Sequence, residues 1–266
     1  MKRILLLSSI SILLITGCSK EKRERIDDSN SNESEQSITA DKITDEELHL
    51  FPSLFIEKLS FYRTYKSVTS GETKAVVLGV TIPQSIEATA IQSDYSYLIN
   101  ESHSSMVNTT LIGYFHENMA VYKENQSDYK VASLNEYLSI YGIYPFEYSI
   151  EGYSVSQGVT VSRLESETNY KFRLTFDKEL TTNNVKIQMK KIGGLDGYPS
   201  FKEDTVMDIT VQNDFTPISL TLTSHYSAKK IIESDCRQNY TVTYSDYNQE
   251  IEIPNLDNVK HYFEEN

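Results

Sequence analysis

"TVMDITVQNDFTPISLTLTSHY", residues 205–226, decides how this chain folds. Met207, Ile209 and Val211 alternate with Asp208 and Thr210; Asn213-Asp214 offers a turn; Ile218, Leu220 and Leu222 then alternate with Ser219 and Thr221. A period of two puts each apolar set on one face, which predicts an antiparallel hairpin with one side buried and the other in water.

The same alternation extends in both directions. "NYKFRLTF" (169–176) places Tyr170, Phe172, Leu174 and Phe176 on one face and Lys171, Arg173 and Thr175 on the other. "QNYTVTYSDYNQEIEIPN" (238–255) aligns Tyr240, Val242 and Tyr244, bends at Asp246–Asn248, and continues through Ile251 and Ile253 to Pro254 as a last strand. From Thr73 onward "TKAVVLGV", "QSIEATAI", "SYLINES", "SMVNTTLIGYF" and "NMAVYKE" are short β-rich runs separated by Gly, Pro, Asn or Ser, the pattern of a meander.

Three segments break the period. Thr44-Asp45-Glu46-Glu47 has the capping-box form, starting a helix through Leu48, Leu54, Phe55 and Leu59 that Pro52 interrupts or restarts. Ser133 with Glu136 three residues later starts a second helix, ended by Gly142 and Pro145. "KELTTNNVKIQMKKIGG" (178–194) fits either period, and its Gly193-Gly194 stop favours a helix. About ten strands and three helices make one α+β domain, its helices covering one face of a curved antiparallel sheet.

The N-terminus fixes where this domain works. Met1-Lys2-Arg3 precedes an apolar stretch from Ile4 to Ile15, too short for a mature transmembrane span of ~20 residues and of the right length for a secretory signal. Ile15-Thr16-Gly17-Cys18 resembles a bacterial lipobox. The resemblance implies cleavage after Gly17 and a diacylated Cys18 as the mature N-terminus, anchoring the protein to the membrane outside the cytoplasm. Two acyl chains give the stable anchorage that one does not. Residues 19–47 are dense in Ser, Asn, Glu, Asp and Lys and offer nothing to offset the entropy of ordering. The expected organisation is a signal peptide at 1–17, the lipidated cysteine and a disordered polar stalk at 18–45, and a folded domain at 46–266. The stalk's random-coil reach is roughly 30 Å.

Composition narrows the function. The formal net charge of −13 falls further when Lys2 and Arg3 leave with the signal, and such an acidic surface repels phosphate backbones, which excludes nucleic acid as a principal partner. With Cys18 acylated, Cys236 has no disulfide partner; set in a strand pattern, it reads as a small buried hydrophobe. The five histidines show no metal-ligand spacing. Ser227-Ala228-Lys229-Lys230 matches S-x-x-K without the partner motifs that chemistry needs, and Gly152-Tyr153-Ser154-Val155-Ser156 lacks the closing glycine of a nucleophile elbow. The sequence therefore predicts a non-enzyme with no metal and no cofactor.

The order of elements, from lipobox and polar stalk through opening helix, meander, mid-chain helix and strand-helix-GG unit to a long hairpin and a tyrosine-rich end, resembles the LolA/LppX-type superfamily of unclosed β-barrel lipoproteins and lipoprotein carriers. Small secreted lipoproteins of firmicute type share this layout. The resemblance runs over roughly residues 46–266 and is carried by "GYFHENMAVYKE", "MDITVQNDFTPISLTLT" and "YSDYNQEIEIP". It implies an unclosed half-barrel whose concave face, roofed by helices, holds acyl chains or another hydrophobic ligand. The candidate cavity lining is then Tyr170, Phe172, Leu174 and Phe176, with Ile218, Leu220 and Leu222 beside them and Tyr240, Val242 and Tyr244 near the closing edge. Two readings follow. One is an anchored binder of lipid or another hydrophobic molecule, acting in envelope lipid or lipoprotein handling. The other is a surface module whose interior is filled and whose edges contact a protein or cell-wall partner. A transporter's solute-binding subunit would need alternating βαβ lobes, which are missing.

Overall fold

The computed structural model describes residues 38–105, 108–141, 159–191, 199–229 and 233–264. The signal segment, Cys18 and the stalk to residue 37 lie outside these, as do Gly142, Pro145, Gly152–Ser156 and Gly193-Gly194.

The described chain joins the core ahead of residue 46. Ala40 and Ile43 are fully buried, and Arg163 donates to the carbonyls of both, at 3.0 and 2.6 Å. Ala40 and Ile43 of "ITADKI" thus belong to the core, while Ile38 is exposed. The Glu47 carboxylate then accepts from the Thr44 amide and hydroxyl at 3.0 Å each, starting a 3-10 segment, Asp45–Leu50. Pro52 restarts it as helix α1, Phe51–Ser60, where a proline in the first turn sacrifices no internal hydrogen bond.

Strands β1 (Tyr65–Val77), β2 (Val80–Gln92), β3 (Ser96–Ser104), β4 (Asn108–His116), β5 (Met119–Glu124) and β6 (Lys130–Ser133) form a meander. Helix α2 (Leu134–Tyr141) follows, its first turn capped by the Ser133 hydroxyl accepting from the Glu136 amide at 3.3 Å. Next come β7 (Val159–Leu164), β8 (Tyr170–Phe176), helix α3 (Lys178–Lys191), β9 (Ser200–Phe201), β10 (Thr205–Val211), β11 (Pro217–Lys229) and β12 (Glu233–Ser245). Asp177 caps α3 by accepting from the Glu179 and Leu180 amides at 2.9 Å, so the ambiguous stretch is helical. All twelve strands join one antiparallel sheet in the order β6-β5-β4-β3-β2-β1-β12-β11-β10-β8-β7, with β9 on β11. The edges β6 and β7 do not meet, and the fold is an unclosed half-barrel.

Three expectations are corrected. "TKAVVLGV" is not one strand: the chain reverses at Leu78 and Gly79, both at positive φ, and Val80 opens β2 opposite Val77. Ile218 does not stand opposite Val211, because the register shifts there and Pro217 takes that place. Ile251 and Ile253 form no strand. After the Asp246–Asn248 bend, the chain crosses behind the sheet, where Ile251, Ile253, Leu256, Val259, Tyr262 and Phe263 pack on Ile91, Tyr97, Tyr114 and Val121. The Tyr114 hydroxyl donates to the Pro254 carbonyl at 2.9 Å. This strap, which includes helix α4 (His261–Glu264), covers the convex face of β2–β5.

Candidate functional site

The concave face is set by register. One rung reads Phe172, Ile209, Leu220, Val242, Thr69, Ala88, Asn100, Leu111 from β8 to β4. The next reads Leu174, Met207, Leu222, Tyr240, Gly71, Ile86, Ser102, Thr109. Large apolar residues fill the β8–β12 end of both rungs and Leu111 the far end of the first, while on β1–β3 the residues other than Ile86 are small or polar.

Each end has its own roof. Helix α1 lays Phe51, Phe55 and Leu59 on the β8–β12 side, and the Phe51 ring stacks on Phe172 with centroids 4.0 Å apart. Burying such a side chain contributes about 1.5–3 kcal/mol. Helix α2 lays Tyr137 on Phe115 and Tyr122 at the β4–β6 side, with Ala90, Leu98, Leu111, Ala120 and Ala132 around it. Between the two roofs lies a floor of Thr69, Gly71, Ala88, Asn100 and Ser102. Thr69, Gly71, Ala88 and Ser102 are half-buried, and Asn100 is buried.

The site residues expected from sequence separate on this map. Phe172, Leu174, Phe176, Leu220, Leu222, Tyr240, Val242 and Tyr244 come together in the core beneath α1, with Tyr170 partly buried at its rim. Phe172, Leu174 and Leu220 are 0 % exposed. Ile218, displaced by the bulge, is half-buried and stands apart from this cluster. Tyr240 borders the floor: its ring lies over Gly71, where an added Cβ would stand 2.4 Å from the ring and 2.3 Å from the Asn239 carbonyl. Glycine is required at 71 by this approach.

The floor itself was not singled out from sequence. Its signal is present, since Ser67, Thr69, Gly71, Thr73 and Ala75 recur at every second position of β1 and Ala88 and Ala90 follow on β2. Residues of this size carry little weight in an apolar period.

Above the floor a polar belt crosses the face. Ser224, Gln238, Thr73 and Gln84 are adjacent in register. Ser224 donates to Gln238 at 3.1 Å, Gln238 donates to the Tyr226 hydroxyl, Thr73 bonds the Tyr240 hydroxyl, and Gln84 donates to Ser102. These groups are satisfied, so the belt tolerates burial. Cys236 sits beyond it, donating to Ser234 at 3.6 Å; burial pushes its thiol up from the ordinary value, which keeps it protonated and a poor nucleophile. Ser227 faces away from this interior, while its neighbours Tyr226 and Ala228 are buried in it. Among the described residues no group of three or more His, Cys, Asp or Glu side chains could hold a metal ion, and no helix is long and apolar enough to cross a membrane.

No family model matches the chain, and no curated protein matches it. Among solved structures, the fold is similar to the lipoprotein LppX of Mycobacterium tuberculosis, at 11% identity and TM-score 0.41, covering 79% of this chain and 100% of that one. It is similar to LprF of Mycobacterium bovis at 13% identity and TM-score 0.41, covering 79% and 97%. A LolA superfamily protein of Nitrosomonas europaea aligns at 9% identity and TM-score 0.29, covering 77% and 96%. Similarities this distant transfer neither ligand nor partner.

Proposed function

We propose that this protein is a membrane-anchored, extracytoplasmic lipoprotein that binds a lipid or another hydrophobic ligand on its concave face, without catalysis. The observation that carries the reading is the floor of small side chains between two separately roofed apolar cores. Ligand sites are mostly apolar concavities with a few polar groups that orient the occupant. Here the half-buried Ala88 and Gly71 supply the apolar surface, and Ser102 and Gln84, with Asn100 beside them, supply the polar groups. The anchor is the diacylated Cys18, with the segment to residue 37 as its tether. Handling of envelope lipid or lipoprotein is the corresponding role.

One observation favours the second reading, a surface module with a filled interior: Phe172, Leu174 and Leu220 under α1 are wholly covered. The two readings differ at the floor. Displacement of a fluorescent acyl-chain probe by envelope lipid, compared between the natural chain and Ala88→Phe, separates them. Saturable binding that Ala88→Phe abolishes supports the carrier, and absence of saturable binding by the natural chain refutes it.

A further inference from the structure

The β1–β2 hairpin ends in an unusual turn. Val77 pairs with Val80, so two residues close it, Leu78 at φ 50 and Gly79 at φ 79. A mirror-image turn of this kind favours Asn-Gly, and a branched apolar side chain is disfavoured in the left-handed region. Leu78 is nonetheless 82 % exposed and Val80 62 % exposed. Backbone conformation and water both select against leucine here, and a local choice that contradicts both needs another cause.

The surroundings indicate what meets it. From Ala75 to Pro83, "AVVLGVTIP" contains no ionisable side chain, and Lys74 just below is paired with Glu72 at 2.8 Å. Strand β3 joins β2 only from Gln84, opposite Ser104, while on the other side β12 accompanies β1 as far as Ser234, opposite Val77, so the Leu78-Gly79 turn stands beyond the paired strands and Val80–Pro83 are unpaired on their β3 side. Four residues at about 3.3 Å each leave roughly 13 Å of apolar edge without a strand beside it. An interfacial apolar segment sinks ~5–10 Å into the headgroup and acyl boundary, which suits the last two or three residues of this tip. A stable protein interface needs about 800 Å² per partner, far more than one aliphatic tip offers.

We propose that the Leu78–Val80 tip inserts into the hydrocarbon boundary of the bilayer that carries the Cys18 anchor. This rests on the anchoring reading of Cys18. The chain enters the domain at Ala40, bonded to the Asn213 carbonyl at the β10–β11 turn, the end of the sheet opposite Leu78. Strand β1 has 13 residues, about 43 Å of length. The 20 residue-to-residue steps from Cys18 to Ile38 extend to about 66 Å, enough for the tip to return to the same bilayer. A contact too weak to hold alone holds when a second attachment keeps it at high effective concentration. The docked tip brings the polar-belt end of the concave face to the lipid surface.

The chain has no tryptophan, so Leu78→Trp or Val80→Trp gives a unique reporter, and Phe61→Trp, at a residue 72 % exposed near the other end of β1, gives its control. The full lipidated chain is reconstituted in phosphatidylcholine vesicles with or without acyl-brominated lipid. The expected result is blue-shifted emission, quenched severalfold by the brominated lipid, at both tip positions and not at Phe61→Trp. Adding Val80→Asn to Leu78→Trp weakens the quenching. Tip reporters that emit and quench like Phe61→Trp in vesicles that carry the chain overturn the proposal. A chain that fails to float with vesicles refutes the anchor instead; the tip is then judged by adding that chain at high lipid concentration, where quenching supports insertion and its absence overturns it. A blue shift without vesicles that grows with protein concentration marks self-association and also overturns it.

Discussion

Leu220 and Ala88 lie on one rung of the concave face, separated by Val242 and Thr69, about 14 Å apart at ~4.8 Å per strand. They should respond oppositely to changes of volume. Leu220 is wholly covered, so Leu220→Ala removes its transfer energy and leaves a cavity, costing about 3–4 kcal/mol. At ~2–4 °C per kcal/mol for a domain of this size, its melting temperature falls by about 6–16 °C. Ala88 is only half-buried over the floor. If space lies above it, Ala88→Leu changes stability by less than about 0.5 kcal/mol, whereas a filled site would lose ~1–3 kcal/mol to overpacking. Urea unfolding of both variants, followed by tyrosine fluorescence and circular dichroism, measures the difference. A loss of 2 kcal/mol or more for Ala88→Leu, with an unchanged urea slope, refutes an open floor.

Other consequences are local. Gly71→Ala drives a Cβ against the Asn239 carbonyl and the Tyr240 ring, and should destabilise by more than about 2 kcal/mol in the same unfolding assay. Arg173 grips Asp208 through two hydrogen bonds, 2.7 and 2.9 Å, and holds its carboxyl below the ordinary value. A depressed carboxylate stabilises the fold above its unfolded pKa and loses that contribution as pH falls. Asp208→Asn should therefore cost about 0.5–1 kcal/mol at neutral pH, solvent screening keeping it small, and the gap should close below about pH 4. Cys236, buried and held protonated, should resist a thiol reagent in the native protein and react within seconds in denaturant, as absorbance of the released chromophore reports.

The legible parts of the fold were those where side chains alternate without exception. Strands β8 and β10 alternate large apolar with polar residues and stand where the period put them, as do Leu220 and Leu222 on β11, whereas the bulge that displaces Ile218 has no mark in the alternation. The first helix was legible through its capping residues and Pro52. The β1–β2 turn was not, because Leu78 occupies a position normally marked by Asn or Gly and carries no turn signal. The C-terminal strap was hidden for a different reason: Ile251 and Ile253 alternate like a strand, but they serve a second apolar surface on the convex side of β2–β5. The candidate site shows the same division. Large residues of a wall advertise themselves in sequence, whereas the floor is made of Thr69, Gly71, Ala88, Asn100 and Ser102, whose common property is small size at register-matched positions. Only pairing across three strands brings them together.

The claim that the concave face holds an apolar molecule is tested most directly by native mass spectrometry of the chain with Cys18→Ser, purified without detergent, beside lipid analysis of its organic extract. The account predicts a stoichiometric apolar adduct that disappears in Ala88→Phe while the fold, by circular dichroism, is retained. A bare protein mass, unchanged after incubation with envelope lipid, would contradict it and leave the half-barrel as a filled scaffold.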